Sequence, residues 1–243
     1  MNPFFSGFDV VVGSDGVATI TPMGALGDLL PISAIPGQMA QNFTNLLPAG
    51  SVPAQVSQNF TNLVNTVTDT SVTSTFTLIP DPSNPVLPIG VDINTRMGLP
   101  VALAIDALGG PVNGLSALGS SATAFANAAQ TGDVLGAAAA ILDAPAVFAD
   151  GFLNGQTTVP LTVTALGLPT TLNLPLSGIL VSPAPYSAVV DASGLGIPGL
   201  TLDGVVTGTP LGGIIPGLLN LLPADLAAAL GAPAPVIPPV DSL

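Results

Sequence analysis

The 243-residue sequence predicts an α+β protein that is rich in β-strands, arranged as an antiparallel sheet or as one chain's contribution to an oligomeric barrel. Three patterns support this class: a hairpin signal near the N-terminus, strand-like alternation over 157–207, and helical regions at about 36–67 and 111–150. No long linker interrupts residues 1–230, which we expect to form a single domain. Residues 231–243 contain four prolines and are predicted to form an extended tail.

Strand signals occur at both ends of the chain. Two β-branched runs at 8–12 and 17–21 flank the turn sequence GSDG, which predicts a hairpin. Further strands are indicated at 71–79 and 86–93, on either side of the Pro-rich sequence PDPSNP. The clearest strands of the C-terminal half are predicted at 161–166, 170–174 and 200–207.

An internal repeat predicts two similar helices. The sequence IPGQMAQNFTNL begins at Ile35 and recurs as VPAQVSQNFTNL from Val52, with apolar residues at helical spacing in both copies. The opposite faces carry amides in place of charged residues, and amides enter an interface at a lower desolvation cost than ions. We therefore expect the following amides to lie on oligomer-interface faces: Gln41, Asn42, Gln58 and Asn59.

Small residues dominate 111–150, where two helices are predicted. The second helix begins at the N-cap-like residues Thr131 and Asp133, and Pro145 is expected to end or kink it. Of the glycine pairs spaced four apart, only Gly132 and Gly136 lie in a predicted helix, where a small-residue face favours close contact between protomers. Residues 99–108 are predicted to begin a helix or form a buried strand, and residues 218–230 to form a short helix.

Charged residues make up only 6% of the chain, against about 25% in an ordinary soluble protein. The chain contains fourteen Asp residues, no Glu and a single cation, Arg96, so the formal net charge is −13. This balance excludes nucleic acid and anionic lipid headgroups as electrostatic partners. We expect Arg96 to pair with Asp92 or with a carboxylate brought in by the fold; alternatively, it is a selectivity or ligand contact.

The residue types that most catalysis requires are missing. The chain has no His and no Cys, which removes imidazole relays, thiolate nucleophiles and their metal sites. Its carboxylates are scattered, and no Asp-Thr-Gly or Asp-Ser-Gly triplet is present. We predict a non-enzymatic protein with no cofactor and no metal, and carboxylate catalysis is only a weak alternative.

Membrane contact is predicted by composition and not by a conventional span. No run of about 20 apolar residues is free of Pro, Gly clusters or polar residues, and no basic segment marks a conventional signal peptide at the N-terminus. Residues 151–190 nevertheless carry no charge, which predicts burial on both faces or contact with lipid. A lipid-facing β-belt around an acidic lumen is one arrangement that this pattern favours, and such a channel would prefer cations.

Three sequence phrases carry a resemblance to a known family. They are GAAAAILDAPAVFADGFLNG at 136–155, LNLPLSGIL at 172–180 and GGIIPGLLN at 212–220. Together they make residues 95–230 similar to the C-terminal regions of mycobacterial PE/PPE-type envelope proteins. The resemblance implies a setting in the mycobacterial cell envelope or outer membrane, with mycolate-containing lipids as partners.

These observations predict a non-enzymatic envelope protein. We expect a homo-oligomer that contacts lipid as a structural component or forms a porin-like channel, because exposed sheet edges require pairing. The alternative is a secreted, soluble surface protein or adhesin without channel activity, exposing Thr, Ser, Asn and Gln.

Overall fold

The computed structural model describes residues 7–12, 17–80, 89–165, 168–195 and 200–232. Its strands are β1 (Gly7–Val12), β2 (Val17–Met23), β3 (Val72–Pro80), β4 (Ile89–Met97), β5 (Gln156–Ala165), β6 (Leu168–Ser177), β7 (Ala184–Asp191) and β8 (Thr201–Leu211). Its helices are α1 (Ala25–Leu29), α2 (Ile35–Asn45), α3 (Val52–Thr68), α4 (Leu99–Thr131), α5 (Val134–Asn154) and α6 (Ile214–Ala229), with short 3-10 helices at Leu30–Ala34 and Ser193–Leu195. The mixed α+β class predicted from the sequence is confirmed.

Two antiparallel four-stranded units form one sheet. The strand order is β1-β2-β3-β4-β8-β7-β6-β5, and only the central pair, β4 and β8, runs parallel. The sheet curls so far that Cα atoms of its two edge strands, β1 and β5, come within 8 Å of each other, although no hydrogen-bonded ladder joins them in the described residues. A single chain therefore supplies all eight strands of this curled sheet.

The concave face of the sheet holds the core. Strands β4, β6, β7 and β8 alternate between buried apolar and outward residues, which is the pattern of a sheet with one packed face. The core side chains come from several strands and from the start of α4, and they include Ile93, Leu172, Tyr186, Leu202, Val206 and Leu211. Among the described residues, these side chains form one hydrophobic cluster against the sheet.

The outer face of the sheet is polar but largely uncharged. Hydrogen bonds between neighbouring strands follow the register on this face: Asn94 donates to Thr207 at 3.2 Å, and Asn173 donates to Ser187 at 3.0 Å. The expectation that residues 151–190 are buried on both faces is therefore wrong for strands β6 and β7, which each have one buried face and one more exposed face, and contact of this exposed face with lipid stays a prediction. On β6 and β7 the inner face buries Leu172, Ala188 and Val190 together with Thr170, and the outer face carries Asn173 and Ser187. On β5, Val159 is 41% exposed.

Several sequence predictions for the helices need correction. Residues 99–108 begin a helix, and α4 continues through Pro111, while Pro145 lies inside α5 without ending it. Gly132 is not helical: it ends α4 in the left-handed conformation at φ +74°. The predicted cap is confirmed, since the Asp133 side chain accepts a hydrogen bond from the Gly136 amide at 2.9 Å. The hairpin turn at 13–16, most of the Pro-rich connector and most of the tail lie outside the described residues.

Helices α4 and α5 pack closely because glycines remove side chains from their interface. A Cβ at Gly114 would lie 2.9 Å from the Phe148 ring, and a Cβ at Gly151 would lie 2.8 Å from the carbonyl oxygen of Asn113. The rings of Phe148 and Phe152 stack with centroids 6.1 Å apart. This contact lies within one chain, and the contact between protomers expected at Gly132 and Gly136 stays a prediction.

A buried amide joins α4 to the sheet. The Asn113 side chain donates hydrogen bonds to the carbonyl oxygens of Gly109, at 2.8 Å, and Leu176, at 2.7 Å. Its own carbonyl oxygen accepts a hydrogen bond from the Thr157 hydroxyl. The amide is thereby satisfied without any charged partner, and it holds the first half of α4 against β5 and β6.

Substitution of Gly151 tests the close packing of α4 and α5. Gly151→Ala places a methyl group against the Asn113 backbone and the Ala117 methyl group, so we expect it to lower the free energy of unfolding by about 1–3 kcal/mol. Gly119→Ala is the matched control on α4, since nothing lies within 4 Å of the added methyl group, and we expect it to be neutral or stabilising by up to about 1 kcal/mol. Urea denaturation measures both values; equal effects would contradict the close packing.

Candidate functional site

The hairpin formed by α2 and α3 has a polar interior. Thr44, Ser57 and Thr61 are buried between the two helices, where the Thr44 hydroxyl lies 2.6 Å from that of Ser57 and 3.0 Å from that of Thr61. The three hydroxyls form hydrogen bonds within the hairpin and to helix carbonyls. Because Thr44 and Thr61 occupy equivalent positions of the 17-residue repeat, the two copies meet through the same residue.

The predicted interface amides divide between two environments. Gln41 and Gln58 are half-buried and exchange hydrogen bonds with each other at 3.4 Å. Asn42 and Asn59 are exposed on the outside of the hairpin. The glutamines therefore join α2 to α3 within one chain, whereas the two asparagines remain open to solvent or to a partner.

The outer surface of this hairpin exposes large apolar side chains among uncharged amides. Leu46 is 82% exposed, although leucine is ordinarily a buried residue. The other large apolar side chains exposed along α2 and α3 are Ile35, Met39, Phe43, Val52, Val56, Phe60 and Val67. No charged residue occurs between Asp28 and Asp69. Polar side chains inside and apolar side chains outside are the reverse of the arrangement in a helical hairpin exposed to water.

A second apolar surface lies on the α4–α5 hairpin. Only the first half of α4 is buried, and none of its residues beyond Gly114 is. The distal segments, residues 115–131 and 134–147, bury no side chain fully, and Leu135 is 84% exposed. The remaining exposed apolar side chains of these segments are Leu115, Leu118, Phe125, Val134, Ile141, Leu142 and Val147.

Helices α4 and α5 are each long and apolar enough, by length and composition alone, to cross a membrane. Their best windows have mean hydropathies of 1.4 and 1.5, and only 33% and 11% of those windows are buried. The sequence had predicted no conventional span because Pro and Gly interrupt the apolar runs. Continuous helices form nevertheless, since the first half of α4 is anchored on the sheet.

Arg96 and Asp92 do not form the predicted ion pair. Both point to the outer face of β4, four residues apart, so about 13 Å of extended strand separates their Cα atoms. Arg96 instead lines a cleft of about 470 Å³ that Asp69 and Asp225 also line. No carboxylate of the described residues lies within 4.0 Å of its guanidinium nitrogens.

Asp106 is a buried carboxyl group that the sequence did not mark as special. It lies on α4 at 1% exposure, and its Oδ1 accepts a hydrogen bond from the Gly212 amide at 2.9 Å. Its Oδ2 has no hydrogen-bond partner among the described residues. Burial raises the pKa of Asp106 to about 6, against the opposing effect of the Gly212 amide.

Acid–base or metal chemistry finds little support in this geometry. Among the described residues, no three acidic side chains cluster in a way that would hold a metal ion. Asp106 stands alone, and burial raises the pKa of the Tyr186 hydroxyl in the sheet interior to about 12, with Thr95 opposing this. The most extensive unexplained feature is therefore the exposed apolar surface of the two helical hairpins.

The protein is a mixed α+β protein in which a curled sheet carries two helical hairpins that expose apolar side chains. No family model and no solved structure matches the chain. Two curated proteins of Mycobacterium tuberculosis (strain ATCC 25618 / H37Rv) do: PE-PGRS family protein PE_PGRS62 is 37% identical over 249 residues, and PE-PGRS family protein PE_PGRS30 is 38% identical over 230 residues. Each alignment covers 93% of this chain, which spans 47% of the first relative and 19% of the second.

The chain is homologous to PE-PGRS family proteins of mycobacteria. This homology confirms the PE/PPE-type resemblance that the three sequence phrases indicated. Because the chain spans about half the length of one relative and about a fifth of the other, the homology concerns a region of those proteins.

Asp106→Asn tests the buried carboxyl group. Between pH 3.8, the ordinary pKa of Asp, and pH 6, the folded state retains a proton that the unfolded state loses, so ionisation makes the fold less stable as the pH rises through this window. The asparagine variant cannot ionise at this position. Relative to wild type, we expect it to gain about 2–3 kcal/mol of stability between pH 4 and pH 7.

Denaturation of both proteins across this pH range measures the gain. Asp203→Asn, which removes an exposed carboxylate on β8, controls for the loss of one negative charge. The prediction is contradicted if the difference in stability between wild type and Asp106→Asn stays constant from pH 4 to pH 7. Asp106 would then have the same pKa in the folded and the unfolded state.

Proposed function

We propose that this chain is a non-enzymatic component of the mycobacterial cell envelope that contacts uncharged, mycolate-containing lipid through its two helical hairpins. The observation that carries the proposal is the inverted arrangement of α2 and α3, with hydroxyls between the helices and apolar side chains outside. Homology to PE-PGRS proteins supports the mycobacterial envelope setting.

The energetics favour a surface that needs an apolar partner. Burial of one exposed Phe or Leu side chain is worth about 1.5–3 kcal/mol, and six such large apolar residues project from α2 and α3 between Met39 and Phe60. Hydroxyl pairs between the helices keep their hydrogen bonds in a lipid environment as well as in water. Contact with lipid therefore stabilises the outer surface without disturbing the interior of the hairpin.

Charge determines which lipid surface fits. A net charge of −13 with a single cation repels anionic headgroups and provides no polybasic attraction. An uncharged glycolipid surface imposes no such penalty. We therefore propose neutral envelope lipid, in place of anionic phospholipid, as the contact.

The distal α4–α5 hairpin lies along the lipid interface in this proposal. The free part of α4 is about 25 Å long, close to the thickness of a hydrocarbon core. Asp143 occupies the middle of α5, however, and a carboxylate at the bilayer centre costs about 2.5–3.5 kcal/mol. Shallow contact through Val134, Leu135 and Leu142 avoids that cost.

Neither the homo-oligomer nor the channel has direct support. The homo-oligomer is expected because exposed sheet edges require pairing, and in the described residues no hydrogen-bonded ladder joins the edge strands β1 and β5 of the eight-stranded sheet. A homo-oligomer stays a prediction, which the native mass of the particle tests. The second candidate function, a soluble surface protein, is favoured by the Thr-, Asn- and Ser-lined outer face of the sheet.

Phe43→Asn/Phe60→Asn tests the lipid-contacting surface. Both side chains are about 60% exposed, so the substitution should leave folding intact while weakening binding to trehalose dimycolate vesicles by about tenfold per side chain. Vesicle co-sedimentation measures binding, and the thermal midpoint checks the fold.

A matched pair of valines sharpens this test. Val56 and Val205 are exposed to a similar extent, on α3 and on the outer face of the sheet. Val56→Asn should weaken vesicle binding about fivefold, and Val205→Asn should leave it unchanged. Equal effects, or a wild-type monomer that ignores the vesicles, would instead support the soluble alternative.

Salt separates charge effects from apolar contact. Binding to uncharged vesicles should change little between 50 mM and 500 mM NaCl, whereas binding to phosphatidylglycerol vesicles should be weak at low salt and strengthen as salt screens the repulsion. Co-sedimentation at both salt concentrations measures this. Stronger binding to the anionic vesicles at low salt would be the opposite of what the net charge of −13 requires.

A further inference from the structure

Arg96, the only cation of the chain, stands exposed and without an ion-pair partner. The chain has fourteen carboxylates, yet none of those described comes within 4.0 Å of the guanidinium. Two of them, Asp69 and Asp225, line the same cleft. The fold thus brings opposite charges to one cleft but leaves them apart, which leaves room for a ligand between them.

The cleft lies where the two halves of the sheet meet. It is formed by the start of β3, the carboxyl ends of the parallel strands β4 and β8, and α6. In open α/β sheets, ligands bind outside the carboxyl ends of strands at the point where the strand order reverses. The cleft occupies the corresponding end of the only parallel strand pair.

Two glycines shape the floor of the cleft. Gly208 has φ +105°, a conformation that favours glycine, and its missing side chain lets β8 approach the Thr95 backbone. At Gly98 the backbone lies directly against the Asp69 carbonyl group, two residues beyond Arg96. Asp69 is therefore held near Arg96 through the backbone, while its Oδ1 accepts a hydrogen bond from the Ser71 amide at 2.9 Å.

Hydroxyl and amide groups complete the lining. Ser71, Thr73 and Asn94 line the cleft together with Thr209. The Thr209 hydroxyl accepts a hydrogen bond from the Met97 amide at 2.9 Å, which joins β8 to the end of β4. These groups offer both donors and acceptors to a polar ligand of modest size.

The charges decide between classes of ligand. A simple anion would be attracted by Arg96 and repelled by Asp69 and Asp225, while a simple cation would be repelled by Arg96. A zwitterion satisfies both signs at once. A planar guanidinium binds a carboxylate or phosphate through two parallel hydrogen bonds, and carboxylates accept hydrogen bonds from an ammonium group.

We propose that this cleft binds a small zwitterion, with its phosphate or carboxylate group on Arg96 and its primary ammonium group directed toward Asp69 and Asp225. The volume of about 470 Å³ admits a molecule of the size of phosphoethanolamine or an amino acid. The same chemistry occurs as a lipid headgroup and as a free metabolite. This site is independent of the lipid-contacting surface of the helical hairpins.

Isothermal titration of the full chain with phosphoethanolamine tests the proposal. We expect saturable one-site binding, with inorganic phosphate and ethanolamine each binding at least about tenfold more weakly. Arg96→Gln should abolish binding, and because Arg96 is exposed, this variant should keep the thermal midpoint of wild type. Wild-type affinity for phosphate equal to that for phosphoethanolamine, or no saturable binding of phosphoethanolamine, would overturn the proposal.

Asp225→Asn provides a signature that a simple anion site would not show. Removing this carboxylate should weaken phosphoethanolamine binding about tenfold but strengthen the binding of inorganic phosphate. Asp203→Asn is the matched control, since Asp203 is exposed near the start of β8 and does not line the cleft. Indistinguishable effects of the two substitutions would contradict the role of Asp225.

Two further arms of the experiment separate the possible sources of the ligand. Arg96-dependent sedimentation with phosphatidylethanolamine vesicles would assign the cleft to a lipid headgroup. Binding of free phosphoethanolamine or glycine without Arg96-dependent vesicle binding would assign it to a free zwitterion. Arg96→Gln should leave binding to trehalose dimycolate vesicles unchanged, so failure of the zwitterion site and failure of the lipid-contacting surface are distinguishable.

Discussion

With a single cation in the chain, contacts between secondary-structure elements cannot depend on ion pairs and must use uncharged hydrogen bonds and close packing. Hydroxyl pairs join α2 to α3 through Thr44 and Thr61 and join β3 to β4 through Ser74 and Thr95. The Asn113 amide joins α4 to the sheet. Each such bond contributes only about 0.5–1.5 kcal/mol net, but each lets polar atoms enter an interface without burying a charge.

The use of uncharged contacts is also related to the two kinds of surface on the protein, the apolar side chains of the helical hairpins and the polar outer face of the sheet. Where hydroxyls occupy the space between α2 and α3, large apolar side chains project outward, as Phe43 and Phe60 do. On the sheet the order is reversed, because the curled face encloses the apolar side chains and leaves Asn94 and Thr207 outside. The helical hairpins are therefore the surfaces suited to an apolar environment, and the outer face of the sheet is suited to water.

Local sequence patterns predicted the helices and strands well, but they predicted the contacts between these elements poorly. The 17-residue repeat predicted α2 and α3, and alternation predicted the strands, because both signals depend on residues close in sequence. Glycine spacing predicted Gly132 to lie in a helix, although it ends α4, and it did not point to Gly114 and Gly151, which make the close contact between α4 and α5. Spacing alone does not distinguish these pairs, because the choice depends on where a phenylalanine of the other helix lies.

The sequence by itself determined the α+β class, the near absence of charge, the exclusion of most catalytic chemistry and the resemblance to mycobacterial envelope proteins, since these depend on composition and local pattern. Only the tertiary structure decided which faces are buried. It gave the uncharged strands one buried face, separated Arg96 from Asp92 and placed it in a cleft that Asp69 also lines, and buried Asp106. Burial and electrostatic environment depend on residues far apart in the chain, such as Asp106 and Gly212, whose contact no local pattern records.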